Sequence, residues 1–334
     1  MEYPGATRGV ALVALLADLT LGEPPDRLHP TVWMGRWLGY MRAREKRRAA
    51  MSHDTTSRAF GHGVLTLAGG LVLTTAVAGT AALLLATIGA RGFVTVSDLP
   101  ARLTRIAAEG TALKPALAVR SLLQAAEMVR AALEADDVHE ARRLLAWHLV
   151  SRSTHDLAPH EIAGATIASL AENLSDSVIA PLLAYRCAGL SGAYAYRFVN
   201  TADAMLGYRT AELEWFGKPS ARTDDLLNLM PARLSAPVIA LVATGVSGLG
   251  LGAAWRALRC AMTDASHTPS PNGGWPMAAM AGALGVRLEK RGHYVLNAEG
   301  RAPTTRDITR ARRIVLGASL MTVLGIELSF PAFA

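Results

Sequence analysis

Three short runs of this chain combine phosphate-binding and metal-binding side chains with neighbouring apolar segments. They lie at 197–209, 219–228 and 270–276. Arginine side chains are frequent partners of phosphate oxygens, and carboxylates are frequent ligands of hard divalent cations. Because an ionisable group at membrane depth is costly unless it is paired, hydrated or functional, we interpret the runs as candidate functional sites.

Acidic residues supply the candidate metal ligands. Glu172 and Asp176 are four residues apart, which on a helix places both carboxylates on one face. Asp224 and Asp225 form a second pair of carboxylates, with Asn228 one turn later. Such oxygen ligands suit Mg²⁺, which binds a few carboxylates together with water and phosphate oxygens.

Purely structural roles stay open for the same side chains. On spacing alone, Glu172 and Asp176 fit an ion pair with Arg186 or Arg197 inside a helical bundle equally well. Thr223 or Asp224 also fits the cap of a solvated helix start.

Arginines supply candidate phosphate contacts. Arg222 precedes the aspartate pair and Arg233 follows it, and a guanidinium binds phosphate oxygens in a bidentate way. Asn200, Asp203 and Arg209 form a third polar group. The net charge of +7 is more typical of the basic flanks of membrane spans than of nucleic-acid binding.

The run 270–276 reads Ser-Pro-Asn-Gly-Gly-Trp-Pro. Its adjacent glycines let backbone N–H groups approach an anion, although the same string is also an ordinary turn sequence. The chain contains no Walker A string, dinucleotide fingerprint or Gly-x-Ser-x-Gly elbow. Nucleotide chemistry would therefore need a site of another kind.

Long apolar segments must position these residues. Gly63 to Ala90 is uncharged, as is Leu234 to Trp255, and each is long enough to cross the hydrocarbon core. Hydrophobic residues make up 51% of the chain and charged residues 18%, which predicts an integral membrane protein. Weaker candidate spans are Arg8–Leu21, Ser177–Tyr196 and Ile314–Ala334.

Helical patterns dominate the remainder. At about 115–155 apolar residues recur at helical spacing in two amphipathic helices, the second beginning at a capping box formed by Asp137 and Glu140. Pro159 and Glu161 mark the start of another helix. We predict an all-α, polytopic membrane bundle of one domain, 1–334, with this amphipathic insertion and Gly- and Pro-rich active-site loops.

The distribution of Arg and Lys predicts the orientation. A loop at 26–58 and the segment at 256–313 are both rich in basic residues, so both are expected on the cytoplasmic side. Three candidate spans lie between them, and an odd number requires one to be broken or re-entrant. Pro237 and several glycines favour an interruption after Leu234.

Together the runs resemble the CbiB/CobD family of cobalamin biosynthesis, the adenosylcobinamide-phosphate synthases, from Leu16 to about Asn297. The resemblance is carried by Leu16-Ala-Asp-Leu-Thr-Leu-Gly-Glu-Pro-Pro25, His29-Pro30, Ala171-Glu-Asn-Leu-Ser-Asp176, Val199-Asn-Thr-Ala-Asp-Ala-Met-Leu-Gly-Tyr208, Ala221-Arg-Thr-Asp-Asp225, Pro231-Ala-Arg233 and 270–284. Ser151-Arg-Ser-Thr154 departs from the expected Gly-Arg-Asp-Thr, so a metal role at Ser153 is not expected.

The resemblance implies a multi-pass inner-membrane enzyme with its active site facing the cytoplasm. Such an enzyme joins adenosylcobyric acid to aminopropanol phosphate with ATP as co-substrate and Mg²⁺. The lipid bilayer and other membrane enzymes of late cobalamin biosynthesis are the expected partners, and nucleic acid is not one.

Roles follow from this expected chemistry. The expected metal ligands are Glu172, Asp176, Asp224 and Asp225. The expected catalytic residues are Glu172, Asp176, Asp203, Asp225 and His267, with His267 or a carboxylate as the general base. The expected contacts to ATP or aminopropanol phosphate are Arg209, Arg222, Arg233, Ser270, Asn272, Gly273 and Gly274.

Other classes of protein stay open. A transporter would also place charges beside interrupted spans, although the chain lacks the inverted repeats typical of one. A phospholipid-type phosphotransferase would need paired aspartate motifs that are missing around Arg222. A non-catalytic assembly subunit of the corrinoid pathway would tolerate loss of the acidic residues.

Overall fold

The computed structural model describes residues 7–51, 56–90, 99–246 and 248–330, and this part of the chain is nearly all helical, as predicted. Its α-helices are α1 Val10–Leu21, α2 Pro30–Met51, α3 Thr56–Ala90, α4 Leu99–Leu113, α5 Val119–Glu134, α6 Val138–His148, α7 Pro159–Leu174, α8 Ala180–Leu206, α9 Lys218–Leu227, α10 Leu229–Ala243, α11 Gly252–Asp264, α12 Gly274–Leu284 and α13 Thr305–Leu328. Short 3₁₀ turns at Lys114–Ala116 and Ala265–His267 and a π turn at Ser175–Ile179 complete the helical elements.

The chain divides into two compact units. Unit 1 comprises Met1–Leu117, Pro181–Leu227 and Ile326–Ala334, and unit 2 comprises Ala118–Ala180 and Asn228–Gly325. The predicted insertion at about 115–155 belongs to unit 2. The prediction of one membrane domain over 1–334 stays a prediction.

Helix α3 is the longest element of unit 1. It packs against α2, α4 and α9, yet only 17% of its most apolar stretch is buried. Gly63 makes close packing possible at its N-terminal end, because a Cβ at this position would lie 2.1 Å from the carbonyl oxygen of Phe216. Large apolar side chains are exposed along the helix, at Val64, Leu65, Val72, Leu73, Val77, Leu83 and Leu84.

The basic segment predicted to be a loop is instead helical. Helix α2 runs from Pro30 through the Arg and Lys residues at 42–48. The physical reason is local: residues 41–51 contain neither Gly nor Pro and are mostly strong helix formers. Residues 52–55, which belong to the same predicted segment, lie outside the described residues.

Among the described residues, α3 is the one helix that by itself is long and apolar enough to cross a membrane. The predicted span at Arg8–Leu21 is the shorter α1, and the span at Ser177–Tyr196 is broken within α8, where Ala188 and Gly189 leave helical geometry. In α13, Glu327 accepts a hydrogen bond from the N–H of Leu12 near the start of α1, which explains an acid in an apolar run. Residues 331–334 of that predicted span lie outside the described residues.

The predicted interruption after Leu234 is confirmed. Helix α10 continues through Pro237 but ends at Ala243, and α11 does not begin until Gly252. Gly248 and Gly250 in the connection have positive φ angles of 82° and 67°. Leu234–Trp255 is therefore not a continuous helix. Helices α9 and α10 are long and apolar enough to cross a membrane only when they are counted together as one broken span.

Unit 2 is built on the predicted amphipathic hairpin. The apolar faces of α5 and α6 pack on each other and on α7, with Val129, Leu145 and Ile162 fully buried between them. Asp137 accepts a hydrogen bond from the N–H of Glu140 at 2.9 Å, which confirms the predicted cap. Helix α7 begins at Pro159, as predicted.

A small antiparallel hairpin in unit 2 was not predicted from the sequence. Strands β1 Leu288–Lys290 and β2 Tyr294–Leu296 pair with Leu288 opposite Leu296. Three residues per strand are too few to produce a recognisable alternation.

Candidate functional site

The helix that carries Glu172 and Asp176 changes type between them. Glu172 lies in the last turn of α7, and Asp176 lies in the π turn Ser175–Ile179, against which α10 packs. Four residues is close to one turn of either helix type, so the predicted common face is kept. Single π turns inside helices are frequent at functional sites, so this turn makes the segment around Asp176 a candidate for one.

Glu172 lies against the glycine-rich loop of the same unit. A Cβ at Gly273 would be 2.9 Å from Oε1 of Glu172 and 3.4 Å from Cε of Met277. A side chain at position 273 would require the end of the Glu172 side chain to shift, so glycine allows the backbone to come this close to the carboxylate. Two of the motif runs, at 171–176 and 270–284, thus meet in space.

The loop is held by its own side chains. The hydroxyl oxygen of Ser270 accepts hydrogen bonds from the N–H groups of Asn272 and Gly273, at 3.2 and 3.3 Å. The Thr268 hydroxyl donates to the Ser270 carbonyl at 2.9 Å. In the predicted phosphate cradle at Ser270–Gly274, two N–H groups therefore donate to the Ser270 hydroxyl oxygen. An anion bound there would accept these hydrogen bonds in place of that hydroxyl.

Arg233 joins the same part of unit 2. Its guanidinium lies 5.2 Å from the ring centre of Trp275, next to the loop, and donates to the carbonyl of Leu229 at 2.7 Å. The aromatic contact holds a cation beside the beginning of α12.

Sequence reasoning missed Tyr294 and Arg152. Burial and the negative charge of Glu172 raise the pKa of Tyr294 to about 12, and the positive charge of Arg152 opposes this rise. The Tyr294 hydroxyl also lies 3.5 Å from the sulfur of Met277. Tyr294 is on the short strand β2, which has no recognisable sequence pattern. Arg152 lies in the run 151–154, in which only a metal role at Ser153 was considered from the sequence.

His267 is exposed on the 3₁₀ turn that follows α11. Burial opposes the charged form of Asp264, but hydrogen bonds from Thr263 and the N–H of Asn297, together with the charge of His267, hold the pKa of Asp264 below its usual value. The contact from Asn297 to Asp264 is 2.6 Å, so this carboxylate ties the hairpin segment to α11.

Unit 1 holds the second set of predicted residues. Asn200 donates to Asp224 at 3.4 Å, which joins α8 to α9, and Asp203 lies one turn beyond Asn200. The charges of Arg222 and Arg209 both act on Asp225. Asp203, Arg209, Arg222, Asp224 and Asp225 thus belong to unit 1, while the other predicted site residues belong to unit 2.

A buried ionic network at the first motif of the chain was also missed. The ammonium of Lys114 lies 2.6 Å from Glu23 and 3.6 Å from Asp18, which is fully buried. His29 lies 3.1 Å from Glu23. Burial opposes the charged form of Glu23, but hydrogen bonds from His29 and Lys114 outweigh it and hold the pKa of Glu23 at about 2. The motif residues alone could not reveal this network, because its cation lies far along the chain.

A metal ion at this site would have few protein ligands. Within the part of the chain that the structure describes, no three His, Cys, Asp or Glu side chains are grouped as an all-protein metal site. Mg²⁺ is usually held by one or two carboxylates together with substrate phosphates and water. Glu172, which lies against the 270–274 loop, and Asp176, about one turn further along the helix, supply two carboxylates of that kind.

Comparison with known proteins places the chain in a family. The model of the family described as CobD/Cbib protein matches residues 11–315. The chain is 41% identical over 303 residues to a probable cobalamin biosynthesis protein CobD of Thermococcus kodakarensis, covering 91% of this chain and 89% of the relative. It is 40% identical over 288 residues to the corresponding protein of Methanothermobacter thermautotrophicus, covering 86% of each.

A cobalamin biosynthesis protein CobD of Chromobacterium violaceum is 39% identical over 310 residues, covering 91% of this chain and 90% of the relative. No solved structure matches the chain. Matches of this length and identity leave one conclusion: the chain is a member of the CobD/CbiB family.

Proposed function

We propose that this protein is a membrane-bound adenosylcobinamide-phosphate synthase of cobalamin biosynthesis, which joins adenosylcobyric acid to aminopropanol phosphate at the expense of ATP. The observation that carries the proposal is the close approach of Glu172 to Gly273, because it brings two family motifs into one polar site. The names of the relatives support the pathway.

Amide synthesis requires activation of the acid, because a carboxylate is a poor acyl donor. In the proposed sequence a corrinoid carboxylate oxygen attacks the γ-phosphorus of ATP, the bond to the bridging oxygen breaks, and ADP leaves. The free amine of aminopropanol phosphate then attacks the acyl carbon. The carbon–oxygen bond breaks, inorganic phosphate leaves, and the nitrogen proton passes to a base.

The residues of this chain would bind and orient the charged groups. Arg233 and the Ser270–Gly274 loop would hold phosphate oxygens in unit 2, and Arg209 and Arg222 would do so in unit 1. Glu172 and Asp176 are the best-fitting holders of Mg²⁺, with Asp224 and Asp225 as the second candidate pair. When bound, this ion would neutralise phosphate charge during transfer.

Proton transfer needs a group near the attacking amine. His267 is exposed and so can exchange protons with solvent, and the carboxylates of Asp203 and Asp225 are the other candidates. The pH profile of turnover distinguishes an imidazole from a carboxylate, since their ordinary pKa values differ by about two units.

The bilayer placement rests on α3. A mean hydropathy of 1.8 with 17% burial differs from the core helix of a water-soluble protein, which is mostly buried. We propose a multi-pass protein of the cell membrane, with the other helical segments completing the membrane part and the active site facing the cytoplasm.

The test uses the full-length protein purified in detergent. Adenosylcobyric acid, aminopropanol phosphate, ATP and Mg²⁺ are added, and chromatography follows adenosylcobinamide phosphate and ADP. We expect equal amounts of both products and near-complete loss of turnover in Glu172→Gln and Asp225→Asn. Glu140→Gln is the matched control, because Glu140 pairs with Arg143 on the exposed face of α6.

The outcomes separate the alternative classes. Absence of amide and ADP with folded wild-type protein would overturn the synthase proposal. Passage of corrinoid across proteoliposomes without ATP consumption would indicate a transporter. Unchanged pathway output in cells carrying both variants would indicate an assembly subunit.

A further inference from the structure

Two adjoining cavities lie beside the C-terminal half of α2, and none of the acidic residues considered above lines them. One, of about 180 Å³, is lined by Arg44, Arg48 and Leu65, among others. The other, of about 370 Å³, is lined by Arg42 and Lys46 and shares Glu45 and Phe216 with the first. All of these residues belong to unit 1.

The walls of both cavities are basic. Four cationic side chains line them, at 42, 44, 46 and 48, against two acidic ones, Glu45 and Glu212. Glu45 lies 2.8 Å from His62, and Glu212 accepts from Arg42 at 3.2 Å. The cavities therefore favour an anionic group.

The smaller cavity is also continuous with an apolar surface. Leu65 forms part of its wall and is 70% exposed. From there the exposed apolar side chains Val72, Leu73 and Val77 follow along α3. A ligand that suits both features has an anionic head and an apolar tail.

We propose that the smaller cavity binds the phosphate of an anionic phospholipid between Arg44 and Arg48, with its acyl chains along the exposed face of α3. The proposal rests on the membrane placement of α3. A soluble phosphate ester would satisfy the guanidinium groups but would leave Leu65 and the apolar face uncovered. Basic residues at the end of a membrane helix are well placed to meet headgroup phosphates.

Lipid retention tests the site without any substrate. The detergent-purified protein is incubated with phosphatidylglycerol or phosphatidylcholine, and native mass spectrometry counts the lipids retained. We expect wild type to retain phosphatidylglycerol, and the double variant R44Q/R48Q to bind it about tenfold more weakly.

A charge-matched control separates a built site from general attraction. R36Q/R47Q removes the same charge from the same helix, and neither residue lines the cavities. We expect this variant to bind phosphatidylglycerol like wild type. Equal weakening in the two double variants would overturn the proposal, as would equal retention of both lipids by wild type.

Two further measurements test which ligand binds in the cavity and whether the protein lies in the membrane. Displacement of phosphatidylglycerol by excess glycerol phosphate would show that soluble phosphate is the true ligand. Recovery of the protein from cells in the aqueous fraction would refute the membrane placement. Synthase activity is measured separately, so a lipid result does not depend on the proposed reaction.

Discussion

At the scale of single residues, the candidate site in unit 2 depends on the close approach of the loop backbone at Gly273 to the side chain of Glu172. Glu172 is held beside the glycine-rich loop because Gly273 has no Cβ. The type of residue at 273 therefore decides the position of a carboxylate that is distant in sequence.

Gly273→Ala tests this dependence. The added methyl group would lie 2.9 Å from Oε1 of Glu172 and push the carboxylate out of place. Because Oε1 is the far end of a flexible side chain, a small shift relieves the contact, so we expect a several-fold loss in kcat, below the roughly 100-fold that a displacement of about 1 Å costs. Thermal unfolding should change little. Gly245→Ala is the control, because its Cβ would meet only ordinary contact at 3.7 Å, and an equal loss there would contradict the interpretation.

The Lys114 network makes a second prediction at this scale. Lys114→Met removes the ammonium from two carboxylates, one of them fully buried, and should lower the free energy of unfolding by about 3 kcal/mol. Lys218→Met breaks a surface pair with Glu214 and removes the ammonium from the Trp215 ring, and it should have a clearly smaller effect. Similar effects in the two variants, measured by unfolding in detergent, would contradict the argument.

The same network sets a pH dependence. The pKa of Glu23 is about 2 in the folded protein and ordinarily 4.5, so its stabilisation is present above pH 4.5 and is lost as the pH falls towards 2. In Lys114→Met the folded pKa of Glu23 should rise, and the loss across this window should shrink. Unfolding temperatures measured across this range in both proteins check the sign.

At the scale of elements, helix α3 shows how glycines direct packing. A Cβ at Gly63 would lie 2.1 Å from a backbone oxygen, which cannot move aside as a flexible side chain can. A Cβ at Gly61, in the same helix, would meet nothing within 4 Å.

Gly63→Ala should therefore destabilise the folded protein by about 1–3 kcal/mol through overpacking. Gly61→Ala should be neutral or slightly stabilising, because alanine favours the helix. The unfolding temperature of each variant in detergent distinguishes the two sites. Equal behaviour would mean that the helix does not pack closely at Gly63.

At the scale of the whole molecule, the proposed membrane placement of α3 can be tested by itself. Leu73 lies near the middle of the helix and is exposed, so Leu73→Arg should disfavour insertion by about 3 kcal/mol. Trp147→Arg places the same charge on the exposed surface of α6 and should have no such effect. The fraction that resists alkaline extraction from membranes measures both, and full retention of the α3 variant would contradict the assignment.

Sequence by itself determined the local elements of this protein: the amphipathic hairpin at 119–148, its Asp137 cap, the start of α7 at Pro159 and the apolar segment 63–90 that lies within α3. Periodicity, capping and apolar length depend on residues within a few turns, so they can be predicted from neighbours alone. The family motifs were likewise recognisable as strings. Tertiary structure alone decided the π turn that contains Asp176, the approach of Glu172 to Gly273 and the burial of Lys114 between Asp18 and Glu23. These features require helices from distant parts of the chain to pack together, and no local pattern specifies which side chains then meet.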